Sequence, residues 1–357
     1  MQKAAEEELP VPENDAVCHQ QKGKTTNTKN RSTKTPLWRC NACRWHLFLP
    51  ITSEEEKKEA CPLCSSSIGL SEEESSPPFR PPNPFASSLL FSSCQEVQEN
   101  EEQEGKRRGK VQVYNIGTVK QRKKKAIPPK EEGATRFVCI SDTHSKHRQL
   151  DLPEADVLIH CGDFSLSCKE EELLDFTEWI AELPFAHKIV IAGNHDVMMD
   201  TVFYERHWWR YHRQKVEHHI QLKQRLEEVC TYLEHKLYQV NGINIFGSPW
   251  VPYYHDWAFM LDDEATLAEG WRMIPPTVDV LVTHGPPRGI RDGPMTAGCI
   301  PLAEAVLKRI KPAVHCFGHI HAGYGMAKRG SSVFLNAATV NNRYKVANTP
   351  IVFDVYK

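Results

Sequence analysis

Short apolar runs alternate with polar turns after residue 134, and this pattern is largely missing before it. The runs are rich in Val, Ile and Phe, and several contain no polar position, which is typical of strands buried on both faces. They predict eight strands, at residues 136–140, 157–160, 188–192, 243–246, 278–283, 313–317, 332–336 and 351–355. Shorter helices are predicted between them, at 169–182, 265–273 and 303–310. This alternation indicates an α/β domain over residues 135–357.

A longer helix is predicted from residue 204 to residue 238, because no Gly or Pro interrupts this stretch. Its apolar residues recur at steps of three and four and would form one face of the helix: Leu222, Leu226, Val229, Leu233 and Leu237. The histidines of the same stretch are expected on its solvated face: His207, His212, His218, His219 and His235.

The N-terminal part is rich in Pro, Glu and Ser and has few apolar residues. Such a sequence buries too little apolar surface to offset the entropy of the chain. We therefore expect residues 1–35 to be disordered and residues 69–134 to be a disordered linker, first acidic and Pro-rich and then basic. The basic stretch at 106–125 is interpreted as a solvated linker, with a nuclear-import signal or an RNA-binding patch as the alternatives.

Residues 36–68 are predicted to form a small zinc-binding knuckle. Two Cys-x2-Cys pairs place four thiolates within reach of one structural zinc ion: Cys40, Cys43, Cys61 and Cys64. Such a closed site has no open position for catalysis, and its partner could be protein or nucleic acid. Two unconnected pairs of inert thiols are the alternative.

Charge and composition exclude several classes of protein. The chain has 44 Lys plus Arg against 46 Asp plus Glu, a formal net charge of −2, which excludes a uniformly basic nucleic-acid coat. No apolar run approaches the roughly 20 residues of a membrane helix, and the first ten residues lack the apolar core of a secretory signal. We expect an intracellular protein, cytoplasmic or nuclear, without a membrane partner. Its 12 cysteines are expected to be thiols or metal ligands.

Five of the predicted strands end in residues that bind metals. In open α/β sheets, ligand sites form beyond the carboxyl ends of the strands. The candidates are Asp142, His144, Asp163, Asn194, His284, His319 and His321. Their nitrogen and oxygen donors suit Mn, Fe, Zn or Mg. They are too many for one catalytic ion with an open position, but with one bridging carboxylate they could hold two ions about 3.5–4 Å apart.

The motifs resemble the five-part signature of the calcineurin-like metallophosphoesterase superfamily. The matching segments, in order, are Asp142-x-His144, Gly162-Asp163, Gly193-Asn194-His195-Asp196, His284 and Gly318-His319-x-His321. Residues 246–250, 283–287, 317–325 and 348–354 are similar to the metallophosphoesterase-domain-containing branch, which itself resembles class III cyclic-nucleotide phosphodiesterases. The resemblance covers residues 137–355 and implies a four-layer α/β/β/α sandwich.

The resemblance also implies the role of each motif residue. It assigns two metal sites that share Asp163, one formed with Asp142, His144 and His321 and the other with Asn194, His284 and His319. His195 would be the general acid that gives a proton to the leaving oxygen, and Asp196 is expected to hold the His195 tautomer. Arg288 and Asn336 are candidates for substrate contact, with an ordinary surface or turn role as the alternative for each. Asn336 is the better supported of the two, because the family has a pair similar to Asn336-Ala337 at this place.

We therefore expect a metal-dependent phosphoester hydrolase. The finer expectation is a phosphodiesterase that uses a hydroxide held by two cations, with cyclic nucleotides as substrates suggested by the branch. A phosphomonoesterase or a nuclease would use the same site. A hypothesis of another class is a zinc-containing adaptor whose catalytic site is residual.

Overall fold

The computed structural model describes residues 38–40, 46–47, 68–70, 110–114, 117–118 and 127–357. The chain divides into two compact units, Met1–Leu89 and Leu90–Lys357. In the first unit, three short strands form an antiparallel sheet with β1 in the centre: β1 (Trp38–Cys40), β2 (His46–Leu47) and β3 (Ile68–Leu70). Of the predicted zinc ligands, Cys43, Cys61 and Cys64 lie outside the described residues, and only the backbone of Cys40 is described.

Two six-stranded sheets form the second unit. The first sheet contains, from edge to edge, β4 (Val111–Tyr114), β17 (Ile351–Tyr356), β5 (Ala134–Ile140), β6 (Val157–Cys161), β7 (His187–Ile191) and β8 (Thr231–Tyr232). The second contains β15 (Gly325–Arg329), β16 (Ser332–Asn336), β14 (Val314–Phe317), β13 (Val280–Thr283), β10 (Ile243–Ser248) and β9 (Lys236–Val240). Two short strands, β11 (Val251–Pro252) and β12 (Met260–Leu261), pair separately. The central strands of both sheets are parallel.

Helices cover the outer face of each sheet. The first sheet carries α1 (Glu170–Glu182), α2 (Thr201–His207) and α3 (His219–Val229). The second carries α4 (Glu264–Arg272) and α5 (Ile300–Glu304), which continues as a π-helix over Ala305–Ile310. Single 3-10 turns occur at His147–Gln149, Trp208–Arg210 and His321–Gly323.

The central strands are apolar on both faces, and this explains why each sheet lies between the other sheet and a layer of helices. In β5, Phe137 and Cys139 face the core between the sheets, whereas Val138 and Ile140 face the layer of helices. Successive side chains of a strand point to opposite faces, so a strand without polar positions needs cover on both sides. The four-layer α/β/β/α sandwich expected from the sequence is therefore confirmed. None of the described helices is both long enough and apolar enough to cross a membrane.

The linker prediction is wrong at residues 111–114, which form strand β4, and at residues 69–70, which belong to strand β3. This strand pairs antiparallel with the last strand of the chain, with Val113 opposite Phe353. Val111 and Val113 pack against the core between the sheets. The predicted disordered segment 1–35 and most of the predicted linker lie outside the described residues.

The long helix predicted over residues 204–238 is also wrong. The helix α2 ends at His207, α3 covers only His219–Val229, and extended backbone at Cys230 leads into β8 and β9. Val190 and Ile189 of β7 pair with Tyr232 and Thr231, so pairing at the sheet edge overrides the local helical pattern. His219 is buried and His235 stacks on Trp250, with ring centroids 4.0 Å apart, so neither lies on a solvated face.

Candidate metal centre

The candidate ligands lie on loops just beyond the carboxyl ends of parallel strands. The loops that follow β5, β6 and β14 hold residues with left-handed backbone, and φ is +51° at Asp142, +54° at Asp163 and +64° at His319. Non-glycine residues rarely adopt this conformation, and such strain is concentrated at functional sites. The strand ends therefore bend sharply and turn these side chains toward one another.

The first cluster joins the first and fifth motifs. It contains Asp142, His144 and His321, which each offer one ligand atom within 4.8 Å of the other two. His321 Nε2 lies 3.4 Å from Asp142 Oδ1 and 3.2 Å from His144 Nε2. Two motifs 177 residues apart in the chain thus meet at a common point.

The second cluster contains Asp163, His284 and His319, again within 4.8 Å of one another. Asn194 joins it, because its Oδ1 lies 3.0 Å from His284 Nε2. Asp163 lies between the clusters, with Oδ1 3.4 Å from His284 Nε2 and Oδ2 3.8 Å from His144 Nε2. One oxygen toward each cluster is the arrangement that a bridging carboxylate requires. All seven predicted ligands are therefore brought together.

Backbone carbonyls fix the orientation of three of these imidazoles. The Nδ1 atoms of His144, His284 and His321 donate to the carbonyls of Ser165 (3.0 Å), Cys161 (2.8 Å) and Asn341 (3.2 Å). A carbonyl oxygen can only accept, so each Nδ1 carries a proton, and Nε2 is the ring atom that can bind a metal once it is unprotonated. Metal-binding histidines are held in this way in proteins.

The geometry fits divalent cations. The Nε2 atoms of His144 and His321 face each other across 3.2 Å, and that of His284 faces the oxygens of Asn194 and Asp163. A proton or a metal cation between such atoms removes their mutual repulsion. The centre therefore has the nitrogen and oxygen donor atoms that Mn, Fe, Zn or Mg would use.

Both carboxylates of the centre stay ionised at neutral pH. Burial alone would raise the pKa of Asp163, but the neighbouring His284 and His195 hold it well below its ordinary value. Burial opposes ionisation of Asp142 as well, yet His321 lowers its pKa to about 2. The pKa of His284 is lowered by burial and raised more strongly by Asp163, to about 9. The two ionised carboxylates would equally attract a metal cation, which would take the place of the protons on the neighbouring imidazoles.

His195 lies beside the first cluster, with its ring centroid 4.8 Å from that of His144. Its Nδ1 donates to the carbonyl of Leu166 at 2.6 Å, which leaves Nε2 as the atom directed away from the protein backbone. Asp196 does not bond to this ring. Its buried carboxylate accepts from the backbone of Gly193 and Ser165, so the expectation that Asp196 holds the His195 tautomer directly is wrong.

The two candidate substrate contacts have different surroundings. Asn336 is fully buried, and its Nδ2 donates to the carbonyls of Arg291 (3.1 Å) and Ile320 (3.0 Å). Its Oδ1 accepts from Ala338 N, so its polar atoms hold the fifth-motif loop and do not face a substrate. Arg288 is exposed, and its backbone N–H bonds to the Cys299 carbonyl.

Two aromatic residues near His195 were missed by the sequence analysis. The Trp257 ring lies 4.2 Å from the His195 ring, and the Tyr344 ring lies 4.8 Å from His144 and 6.4 Å from His195. Both come from long loops, between β11 and β12 and between β16 and β17. Neither residue belongs to a motif, so no spacing in the sequence could have identified them.

The chain is similar to several known proteins. A family model described as calcineurin-like phosphoesterase matches residues 135–323. The Metallophosphoesterase domain-containing protein 1 of Homo sapiens is 40% identical over 238 residues, which cover 64% of this chain and 73% of that protein. The UPF0046 protein T07D4.2 of Caenorhabditis elegans is 34% identical over 248 residues, 64% of this chain and 61% of that protein. The solved structure of TT1561 of Thermus thermophilus is 14% identical and covers 57% of this chain and 88% of that one, with a TM-score of 0.36.

Proposed function

Since the chain belongs to the calcineurin-like phosphoesterase family, we propose that it is a phosphodiesterase whose site holds two divalent cations. The family and the cluster of Asp and His side chains make it a metal-dependent phosphoesterase. The step to two ions is supported by Asp163, which directs one carboxylate oxygen to each cluster. Asp142, His144 and His321 would hold one ion, and Asn194, His284 and His319 the other.

The observation that carries the proposal is the convergence of imidazole Nε2 atoms with one another and with carboxylate oxygens. His144 and His321 direct their Nε2 atoms at each other because backbone carbonyls hold their Nδ1–H groups. When bound, divalent cations supply Lewis-acid activation of water and of the phosphoryl oxygens. The chain's own contribution to that chemistry is to hold the donors in place.

His195 is proposed as the general acid. The Leu166 carbonyl fixes the proton on Nδ1, so a second proton, on Nε2, is the one that the ring can release. As hydroxide attacks phosphorus, the bond from phosphorus to the leaving oxygen breaks, and the Nε2 proton passes to that oxygen. A positioned acid of this kind contributes roughly 10²–10⁴-fold, most for poor leaving groups.

Cyclic nucleotides are the substrates that we propose to test first. The rings of Trp257 and Tyr344 lie 4.2 Å and 6.4 Å from that of His195, so the group attached to the leaving oxygen would meet aromatic rings. Planar bases stack on such rings, with about 1–3 kcal/mol per base. The resemblance of the branch to class III cyclic-nucleotide phosphodiesterases supports the same choice.

A phosphomonoesterase and a nuclease remain as alternatives with the same site. The chain loaded with Mn²⁺ would be compared on bis- and mono-p-nitrophenyl phosphate, cyclic nucleotides and single-stranded nucleic acid. We expect the diesters to react and the monoester to react poorly. Turnover of the monoester alone would reject the diesterase, and cleavage of the polymer alone would favour the nuclease.

The His195→Ala variant tests the acid directly. We expect turnover of a diester with a poor leaving group to fall by about 10²-fold or more, because the alkoxide would depart without a proton. Metal analysis should find two ions per chain in the catalytic site of both forms. An unchanged rate would refute the role of His195, and bound metal without any turnover would favour the adaptor.

We also propose that Cys40, Cys43, Cys61 and Cys64 bind one structural zinc and serve as a contact for protein or nucleic acid. The support is the spacing of the two Cys-x2-Cys pairs. Changing Cys61 and Cys64 to Ser in the full chain should remove one zinc ion and leave the catalytic ions in place. Unchanged zinc content would contradict the site. An intracellular location stays a prediction from cysteine usage.

A further inference from the structure

Three consecutive backbone carbonyls, those of residues 165–167, each accept a hydrogen bond from an imidazole. The donors are His144 Nδ1 (3.0 Å), His195 Nδ1 (2.6 Å) and His212 Nε2 (3.0 Å). His144 belongs to the candidate metal centre, and His195 is the proposed acid. One short segment, residues 164–168, thus orients a candidate metal ligand and the proton donor together. We refer to this segment as the carbonyl loop.

A single carboxylate holds the N–H groups on the other side of the carbonyl loop. Glu172, in the first turn of α1, accepts from Leu166 N at 3.3 Å and from Ser167 N at 3.1 Å. It also accepts from Ser145 Oγ and from Lys169 N, both at 3.0 Å. Hydrogen bonds to an ionised carboxylate are roughly twice as strong as those between neutral groups.

The planarity of the peptide bond connects these two sets of contacts. The Ser167 N–H and the Leu166 carbonyl belong to one peptide plane and point in opposite directions, since the bond is trans. Glu172 therefore holds one side of the plane whose other side meets His195. The Leu166 N–H and the Ser165 carbonyl form the preceding plane, which links Glu172 to His144 in the same way.

We propose that Glu172 is a positioning residue of the active site, which orients His195 and His144 through two successive peptide planes. It does not touch the reacting atoms. Removing its charge would free both planes to rotate and would let the His195 ring leave the orientation in which Nε2 faces the substrate. The expected effect on turnover rests on the proposed role of His195, whereas the orientation of the rings does not.

A purely structural role is the competing explanation, because Glu172 also caps the N-terminus of α1 through Lys169 N. Asp263 is a matched control. It caps α4 by accepting from Ala265 N and Thr266 N, both at 3.0 Å, and none of its described contacts involves the candidate centre. Asp263→Asn should therefore remove the same charge from a helix cap without moving either imidazole.

The first measurement is ¹⁵N NMR of the imidazoles in the full chain loaded with diamagnetic Zn²⁺. In the wild type and in Asp263→Asn, His195 and His144 should show protonated Nδ1 atoms whose N–H signals resist exchange with water. In Glu172→Gln, the Nδ1–H signal of His195 should be lost or give way to the Nε2–H tautomer. Signals that match the wild type would overturn the proposal.

The second measurement compares diesters with different leaving groups, bis-p-nitrophenyl phosphate and diphenyl phosphate. Phenoxide is the poorer leaving group and depends more on the acid. In Glu172→Gln we expect the kcat on diphenyl phosphate to fall about tenfold further than the kcat on the nitrophenyl ester. Equal losses on both esters, or no loss, would contradict the positioning role.

Two further variants test the positioning role if Glu172→Gln does not fold or if His195 is not the acid. If Glu172→Gln does not fold, Glu172→Asp retains the charge and the cap but is one methylene shorter, so it should show the same changes to a smaller extent. If His195→Ala has the leaving-group dependence of the wild type, the proposed acid fails. The NMR signals of His195 would then still decide whether Glu172 orients the ring.

Discussion

At the scale of single residues, two glycines allow the carboxylates of the centre to lie where they do. A Cβ atom on Gly193 would collide with Asp163 Oδ1 and with His284, and one on Gly318 would collide with Asp142 Oδ2. Backbone therefore lies directly against both carboxylates, a close approach that only glycine permits. The carboxylates have no room to move aside, because both residues are buried.

Gly193→Ala should consequently weaken metal binding. The added methyl group must displace Asp163, which is the proposed bridge, so we expect fewer than two catalytic ions per chain and at least tenfold lower turnover. Gly117→Ala is the control, because a Cβ there meets nothing within 4 Å. Metal analysis and rates on a diester would check this, and a Gly193→Ala protein with both ions and full activity would count against the bridge.

At the scale of elements, the segment after residue 204 shows how packing overrides a local pattern. Leu233 and Leu237 fall at helical spacing from Leu226, yet the chain leaves the helix at Val229. Leu233 then lies in the core between the two sheets, whereas Leu237 is in the edge strand β9 and is 42% exposed. A helix through this region would have placed both leucines on one face.

The pair Leu233→Ala and Leu237→Ala separates the two arrangements. Leu233→Ala should cost about 2–5 kcal/mol in the free energy of unfolding, because it leaves a cavity between the sheets. Leu237→Ala should cost about 0.5 kcal/mol or less, as is usual for surface positions. Denaturant unfolding of the metal-loaded chain measures both values. Similar losses for the two variants would contradict the break in the helix.

At the scale of the whole molecule, two histidines are buried within the sandwich as neutral groups. His160 of β6 bonds to Thr143 Oγ1 and His315 of β14 bonds to Thr283 Oγ1, and both side chains are fully buried. Burial lowers the pKa of each to about 3. The unfolded chain, with ordinary histidine pKa values near 6.5, binds these protons more readily than the folded chain.

The free energy of unfolding should therefore decrease as the pH is lowered. Between about pH 6.5 and about pH 3 the unfolded state binds more protons, so stability is complete above this window and is lost as the pH decreases through it. In His315→Leu, one of these groups no longer titrates, and the decrease in Tm from pH 7 to pH 5 should be smaller than in the wild type. An equal decrease would show that His315 is not buried as a neutral group.

The sequence by itself determined the buried strands and the residues that follow their ends, and the family resemblance implied their arrangement in two sheets. Apolar strands such as β5 and β6 must be covered on both faces, and the carboxyl ends of parallel strands lie at one edge. Those two facts place Asp142 and Asp163 at the same edge of the first sheet without any knowledge of side-chain contacts. The positions of the strand ends can be predicted from the sequence because they depend on residues that are close together along the chain.

Only the tertiary structure decided which groups support the centre. The partners of Asp196, the burial of Asn336 and the contact of Trp257 with His195 depend on loops from distant parts of the chain. The sequence shows Glu172 only as an ordinary residue at the start of a helix. Its hydrogen bonds to the carbonyl loop form only because α1 and that loop pack together. Such contacts follow from the path of the whole chain, because the spacing along a single segment does not specify which distant loop it will meet.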